Sequence, residues 1–177
     1  LDKGEHAALR SQMGDRSLAG IARQRKLLES ALKTAIELEA QPHDPATRTS
    51  LAVVRSAFRT GLDGLALPYG DISVGGWRNS PYAVIQNVGG YLDTPRFLDS
   101  DHQIGDAADA KAYLARLAQF PAQLDGETDR IARARAIGLV PPDFLLDKTL
   151  AAMERTLADA RGGGAMVQSL VSRTGSI

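Results

Sequence analysis

The chain reads as an all-α protein, an irregular antiparallel bundle of about five or six helices, on three observations. Apolar residues recur at three- and four-residue spacing in separate stretches. Each stretch is bounded by a capping side chain, a proline or a glycine of the kind that starts or stops a helix. Over 82–92, where a β-hairpin competes, no alternating run exceeds a few residues. The helical period lapses only between 68 and 105, a middle segment rich in glycine, proline and aromatic residues.

Asp15 or Ser17 is placed to cap a first helix running to about Ala40, with Ile21, Leu28, Leu32, Ala35 and Leu38 or Glu39 on one stripe and Arg23, Lys26, Glu29 and Lys33 largely off it. Gln41 and Pro42 break it; Asp44 then caps a second helix whose first position is Pro45. Leu51, Val54, Phe58, Leu62 and Leu65 form one apolar stripe on this second helix, expected in the core. So short a connection packs two helices antiparallel. In the middle segment Ser80 and Pro81 are expected to open a short helix through Val84, Ile85 and Val88, and Thr94 and Pro95 another through Phe97 and Leu98; a β-hairpin over 82–92 is the competing reading. Helical order returns at Asp106, with Leu114, Leu117, Phe120, Leu124, Ile131 and Ala134 on the expected inner face and a kink or break near Gln119 imposed by Pro121. Gly138 suits a left-handed C-cap. Pro141 and Pro142 start a further helix bearing Leu146, Leu150, Met153 and Leu157, Gly162 to Gly164 end it, and 165–172 begins another.

At 177 residues the chain is the size of a single domain, able to remove roughly 70% of its unfolded surface from water. We read 1–177 as one helical domain, the N-terminal part of a longer protein. With 21 basic and 21 acidic residues the net charge is zero, so no overall field favours a nucleic acid or an anionic membrane, and neither is an expected partner. The absence of cysteine excludes disulfides and thiolate metal sites. Membrane insertion is not expected, since no apolar run approaches the eighteen or so residues that span a bilayer. Met166, Val167, Leu170, Val171 and Ile177 make an apolar tail beyond the glycines, which suggests a homodimer as one way of covering it.

Catalytic signatures are missing. His6, His43 and His102 are far apart in sequence and lack the three- or four-residue spacing of a helical zinc pair, so no catalytic, cofactor-binding or metal-ligating residue is assigned. Ser30 and Lys33 match a serine–lysine nucleophile spacing without its companion motifs. Arg130, Arg133 and Arg135 follow Asp125, Glu127 and Asp129 by about a turn, which reads as a solvated helix face with pairs such as Asp129 and Arg133. The candidate cleft-lining residues are Tyr69, Trp77, Arg78, Tyr82, Gln86, Asn87 and Tyr91, polar-tipped aromatics, an arginine and amides on a glycine-rich backbone; they equally suit a plug between helix pairs.

Tyr113, Leu114, Ala115, Arg116 and Leu117, then Phe120 and Pro121, Gly138 to Pro142, and Leu146, Asp147 and Lys148 resemble the bacterial family known as domain of unknown function 885. The stretches at 16–20, 69–71 and 91–98 are similar to it as well, so the resemblance spans nearly the whole chain. It implies a mainly helical, often exported protein about three times longer, with a periplasmic or secreted location and a His-Glu motif like that of zinc peptidases in its C-terminal part. On that resemblance this chain is an accessory helical domain of a metallopeptidase-like protein. It would help wall a cleft for a peptide substrate, partner the rest of its own chain, and leave zinc to the C-terminal part. No such His-Glu motif occurs here, so no metal ligand carries over. The alternative is a non-enzymatic helical interaction module.

Overall fold

A computed structural model describes residues 4–72 and 79–175. Among these the protein is all-α, with seven α-helices: α1 (Leu18–Glu39), α2 (Pro45–Leu65), α3 (Gly90–Arg96), α4 (Ala107–Leu117), α5 (Phe120–Ala136), α6 (Asp143–Arg161) and α7 (Ala165–Thr174). A 3-10 helix at Gly4–Ser11 precedes them, and a π-helical turn at Phe97–Asp101 follows α3. No described helix is long and apolar enough to cross a membrane.

The helix ends sit where local chemistry puts them. Ser17 caps α1 by accepting the Gly20 amide at 3.1 Å, and Asp15 accepts the Ser17 amide at 2.8 Å; hydrogen bonds from Ser17 hold the Asp15 carboxyl below its ordinary range. Asp44 accepts the Ala46 and Thr47 amides at 2.9 and 3.0 Å, with Pro45 first in α2. Asp106 caps α4 through the Asp109 amide at 2.8 Å. The expected break at Pro121 falls between Leu117 and Phe120, and the proline lies in the first turn of α5, where no helical partner for an N–H is lost. At Gly138, φ is +82°, and the Gly138 and Leu139 amides return to the carbonyls of Arg135 and Ala134, both at 3.0 Å, a closure that favours glycine at the left-handed position.

Helix rotation departs from the apolar patterns. α1 and α2 pack against each other along their lengths as a hairpin. Only the start of α1 also meets α5, near Gly126, where an added Cβ would lie 2.8 Å from the Ser17 nitrogen. Packed mainly against each other, the two long helices bury little: Leu28 and Ala35 are buried in α1, whereas Leu51, Phe58, Leu62 and Leu65 are half-buried and Val54 is exposed. The α2 stripe therefore seals a two-helix seam and does not enter a central core. On α4 and α5 the expected inner residue Ala134 is buried, but Leu114 and Ile131 are exposed, while Arg116, Gln123, Glu127 and Arg130 are buried. On α6 Leu150, Met153 and Leu157 are likewise exposed, and Thr149 and Ala152 face inward. The small apolar core joins Val84, Tyr91 and Ala152, flanked by Leu92 and Leu124.

Two expectations for the middle segment are corrected. No helix forms over 80–88: Ser80 pairs with Asp71 through an isolated antiparallel bridge, holding its backbone extended, and Ile85 bridges Val88 in a tight turn. The competing hairpin over 82–92 is limited to that one bridge. The next helix begins at Gly90, ahead of Thr94, because the Glu127 carboxylate accepts the Gly90 amide at 2.8 and 3.0 Å and so caps α3 from outside its own sequence. Pro95 lies inside that helix, which widens into the π-helical turn directly after it.

Candidate ligand pocket and the charge cluster behind it

The polar row on α5 is the backbone of the site. Residues 119, 123, 127, 130 and 134 follow three- and four-residue spacing, so Gln119, Gln123, Glu127, Arg130 and Ala134 share one face. That face meets the chain entering α1, and the close approach is possible because Gly126 has no side chain there. Gln119 and Gln123 donate to the carbonyls of Ser11, at the end of the 3-10 helix, and of Gly14, in the segment that leads into α1, both at 2.7 Å, satisfying backbone acceptors there. Thr94 donates to Gln123 at 2.6 Å from the other side.

Glu127 lies at the centre and is almost completely buried. Arg16 donates to it at 2.8 Å and to Asp93 at 2.9 Å, so one guanidinium ties the start of α1 to both α3 and α5. One turn along α5, Arg130 donates to Asp71 and to the Gly70 carbonyl, both at 2.7 Å, fixing the connection after α2. The two ends of the Arg16–Glu127 pair experience different balances. Burial pushes the Glu127 carboxyl up, and Arg16 with the Gly90 amide returns only part of that cost. Burial also works against the Arg16 charge, yet Glu127 and Asp93 outweigh it and hold the Arg16 pKa above its usual value.

In front of this cluster lies an open pocket of about 500 Å³ bounded by the start of α1, the end of α2 with 66–72, and α5. Leu18, Ile21, Leu65, Ile72 and Ala134 supply apolar surface, and Gln24, Tyr69 and arginines supply polar groups. Its volume falls within the range of small-ligand sites.

The residues singled out in the sequence are dispersed. Tyr69 lines this pocket. Tyr82 is half-buried, Gln86 and Asn87 are exposed, and Tyr91 is buried in the core with its hydroxyl donating to the Ile85 carbonyl at 3.1 Å; Trp77 and Arg78 lie outside the described residues. The solvated-face reading of α5 fails for Glu127 and Arg130, which are buried and ion-paired, and no ion pair joins Asp129 to Arg133 among the described residues. Sequence reasoning missed Arg16, Asp71, Asp93 and Glu127. A signal was present: a polar row at helical spacing interrupted by a single glycine marks a face built for close approach.

Zinc, which the family resemblance associates with a peptidase, has no fit here: among the described residues no three His, Cys, Asp or Glu side chains come together to hold an ion. His43 contacts the Leu38 carbonyl at 2.7 Å, and His102 is buried between Arg116 and the Asp109 carbonyl.

The described residues thus form a packed all-α arrangement in which an inner face of α5 carries paired charges and a recess of mixed polarity opens beside it. The chain belongs to the family described as bacterial protein of unknown function, DUF885, whose model matches residues 2–174. Neither the curated proteins nor the solved structures provide a match. The upstream stretches that are also similar to the family, at 16–20, 69–71 and 91–98, contain Arg16, Asp71 and Asp93, three of the ion-pair partners around α5.

Proposed function

We propose that this chain is the accessory helical domain of a metallopeptidase-like protein, walling part of a peptide cleft and contributing no catalytic side chain. The observation that carries the reading is the pocket: apolar surface on α1, α2 and α5 meets a polar edge, backed by charge pairs that hold its walls in place. Such a recess offers an extended peptide both a place for an apolar side chain and groups that hydrogen-bond its backbone. Titrating the chain with a short apolar N-acetylated peptide amide should perturb amide NMR signals at 18–25, 64–72 and 130–134 while zinc-supplemented chain leaves the peptide intact. Hydrolysis by the purified chain, or perturbations spread at random over the surface, would sink the proposal.

A second reading, a helical interaction module, draws on a different face. Phe144, Leu150 and Leu157 on α6 and Val167 and Val171 on α7 are each half or more exposed, a density that suits contact with a further protein surface such as a second copy. In that reading light scattering at tens of micromolar finds a dimer, and Leu150→Asp with Leu157→Asp returns it to monomer. A monomer at that concentration removes the homodimer from consideration.

A further inference from the structure

We propose that Arg133 reads the free C-terminal carboxylate of a peptide whose last side chain occupies the apolar part of the pocket, an inference that rests on the cleft-wall reading above. Four arginines line the recess: Arg16, Arg25, Arg130 and Arg133. The first three have carboxylate partners, Arg16 in Glu127 and Asp93, Arg25 in Glu29 and Arg130 in Asp71. Arg133 is exposed at the edge of the recess and makes no ion pair among the described residues. Its planar fork is suited to two parallel hydrogen bonds with a carboxylate, and a neutral amide cannot reproduce that match.

The remaining lining selects among anions. Asp15 and Asp71 also face the recess, so a phosphate dianion would meet two carboxylates, whereas a single carboxylate beside Arg133 meets less repulsion. Ile21, Leu65 and Ile72 provide the adjoining apolar surface, while Gln24 and Tyr69 offer an amide and a hydroxyl to a peptide bond. A volume of about 500 Å³ accommodates a dipeptide-sized ligand. The ligand that satisfies the free cation, the apolar wall and the amide groups together is the end of a peptide with an aliphatic last residue.

Calorimetric titration of the whole chain with N-acetyl-alanyl-leucine and with its C-terminal amide tests this. The acid should bind about tenfold more tightly than the amide, as expected for a charge-assisted bidentate contact. Arg133→Gln should bring the two affinities together and Arg133→Lys should retain part of the difference, with thermal melts of both variants like the parent's because the side chain is exposed. Equal binding of acid and amide, or a preference that survives Arg133→Gln, overturns the carboxylate assignment and leaves the cleft wall standing. Binding of neither ligand at millimolar concentration removes both.

Discussion

Arg16→Met is expected to destabilise the protein by about 3 to 5 kcal/mol at neutral pH, the range for removing one partner of a buried ion pair. The methionine replaces most of the volume but leaves Glu127, nearly inaccessible to solvent, without its counter-ion. Asp93 loses a partner at the same time. The pH dependence identifies the cause. Burial already raises the Glu127 pKa in the parent, so the folded state holds that proton to higher pH than the unfolded chain does. The contribution of this group is then fully present below the unfolded value and is lost as pH rises through the folded one. Removing Arg16 removes the main influence opposing the rise, so the folded value should move further up. The deficit of Arg16→Met should therefore shrink as pH falls through that value, because a protonated carboxyl needs no counter-ion. Urea unfolding at pH 7 and pH 5 measures it. A deficit unchanged between the two would mean that packing, and not charge, is what Arg16 supplies.

Tyr113→Ala should cost about as much, roughly 3 to 5 kcal/mol, the range for deleting a buried aromatic side chain. Tyr113 is fully buried on α4 and is where α7 is attached. Its hydroxyl donates to the Met166 carbonyl at 2.6 Å, its ring meets His102 edge-on with centroids 5.4 Å apart, and the Arg173 guanidinium lies 5.6 Å from the ring centroid. Arg173 in turn donates to the Leu98 and His102 carbonyls at 2.7 Å, so α7 is held by the same group of residues that closes the π-helical turn. Around His102 the hydrogen bonds require one tautomer: Arg116 can only donate, so Nδ1 accepts at 2.6 Å and Nε2 carries the proton towards the Asp109 carbonyl at 3.0 Å. Tyr113→Phe, which keeps the ring and loses only the hydroxyl, should cost about 1 kcal/mol. Hydrogen exchange on Tyr113→Ala should show the amides of 165–174 losing protection first. Uniform loss of protection, with no preference for α7, would show that the ring supports the whole bundle and not this attachment.

The amino-acid sequence by itself determined where the helices start and stop. Ser17, Asp44, Asp106, Pro45, Pro121 and Gly138 act through their own backbone or the next turn, so their effect does not depend on what the helix later packs against. The exceptions lie in the middle segment, where a distant residue supplied the decisive contact: α3 begins at Gly90 because Glu127 on α5 accepts its amide, a contact no local pattern contains. Only the tertiary structure decided which face of each helix is covered. On α5 an expected apolar face of Leu124, Ile131 and Ala134 competed with a polar row of Gln123, Glu127 and Arg130, and the polar row turned inward with Ala134, leaving Ile131 exposed, because Arg16, Gly90, Asp71 and backbone carbonyls wait there as partners. Periodicity counts apolar residues and is blind to charges that find their counter-ions some sixty or a hundred positions away in the chain. The pocket was hidden for a related reason: its walls come from three helices distant in the chain, with α5 brought beside α1 and 66–72 by the close approach at Gly126 and by those pairs. Of the seven residues chosen for cleft-like chemistry, Tyr69 alone among those described lines it, since residue type marks what a side chain can do but packing decides where it points.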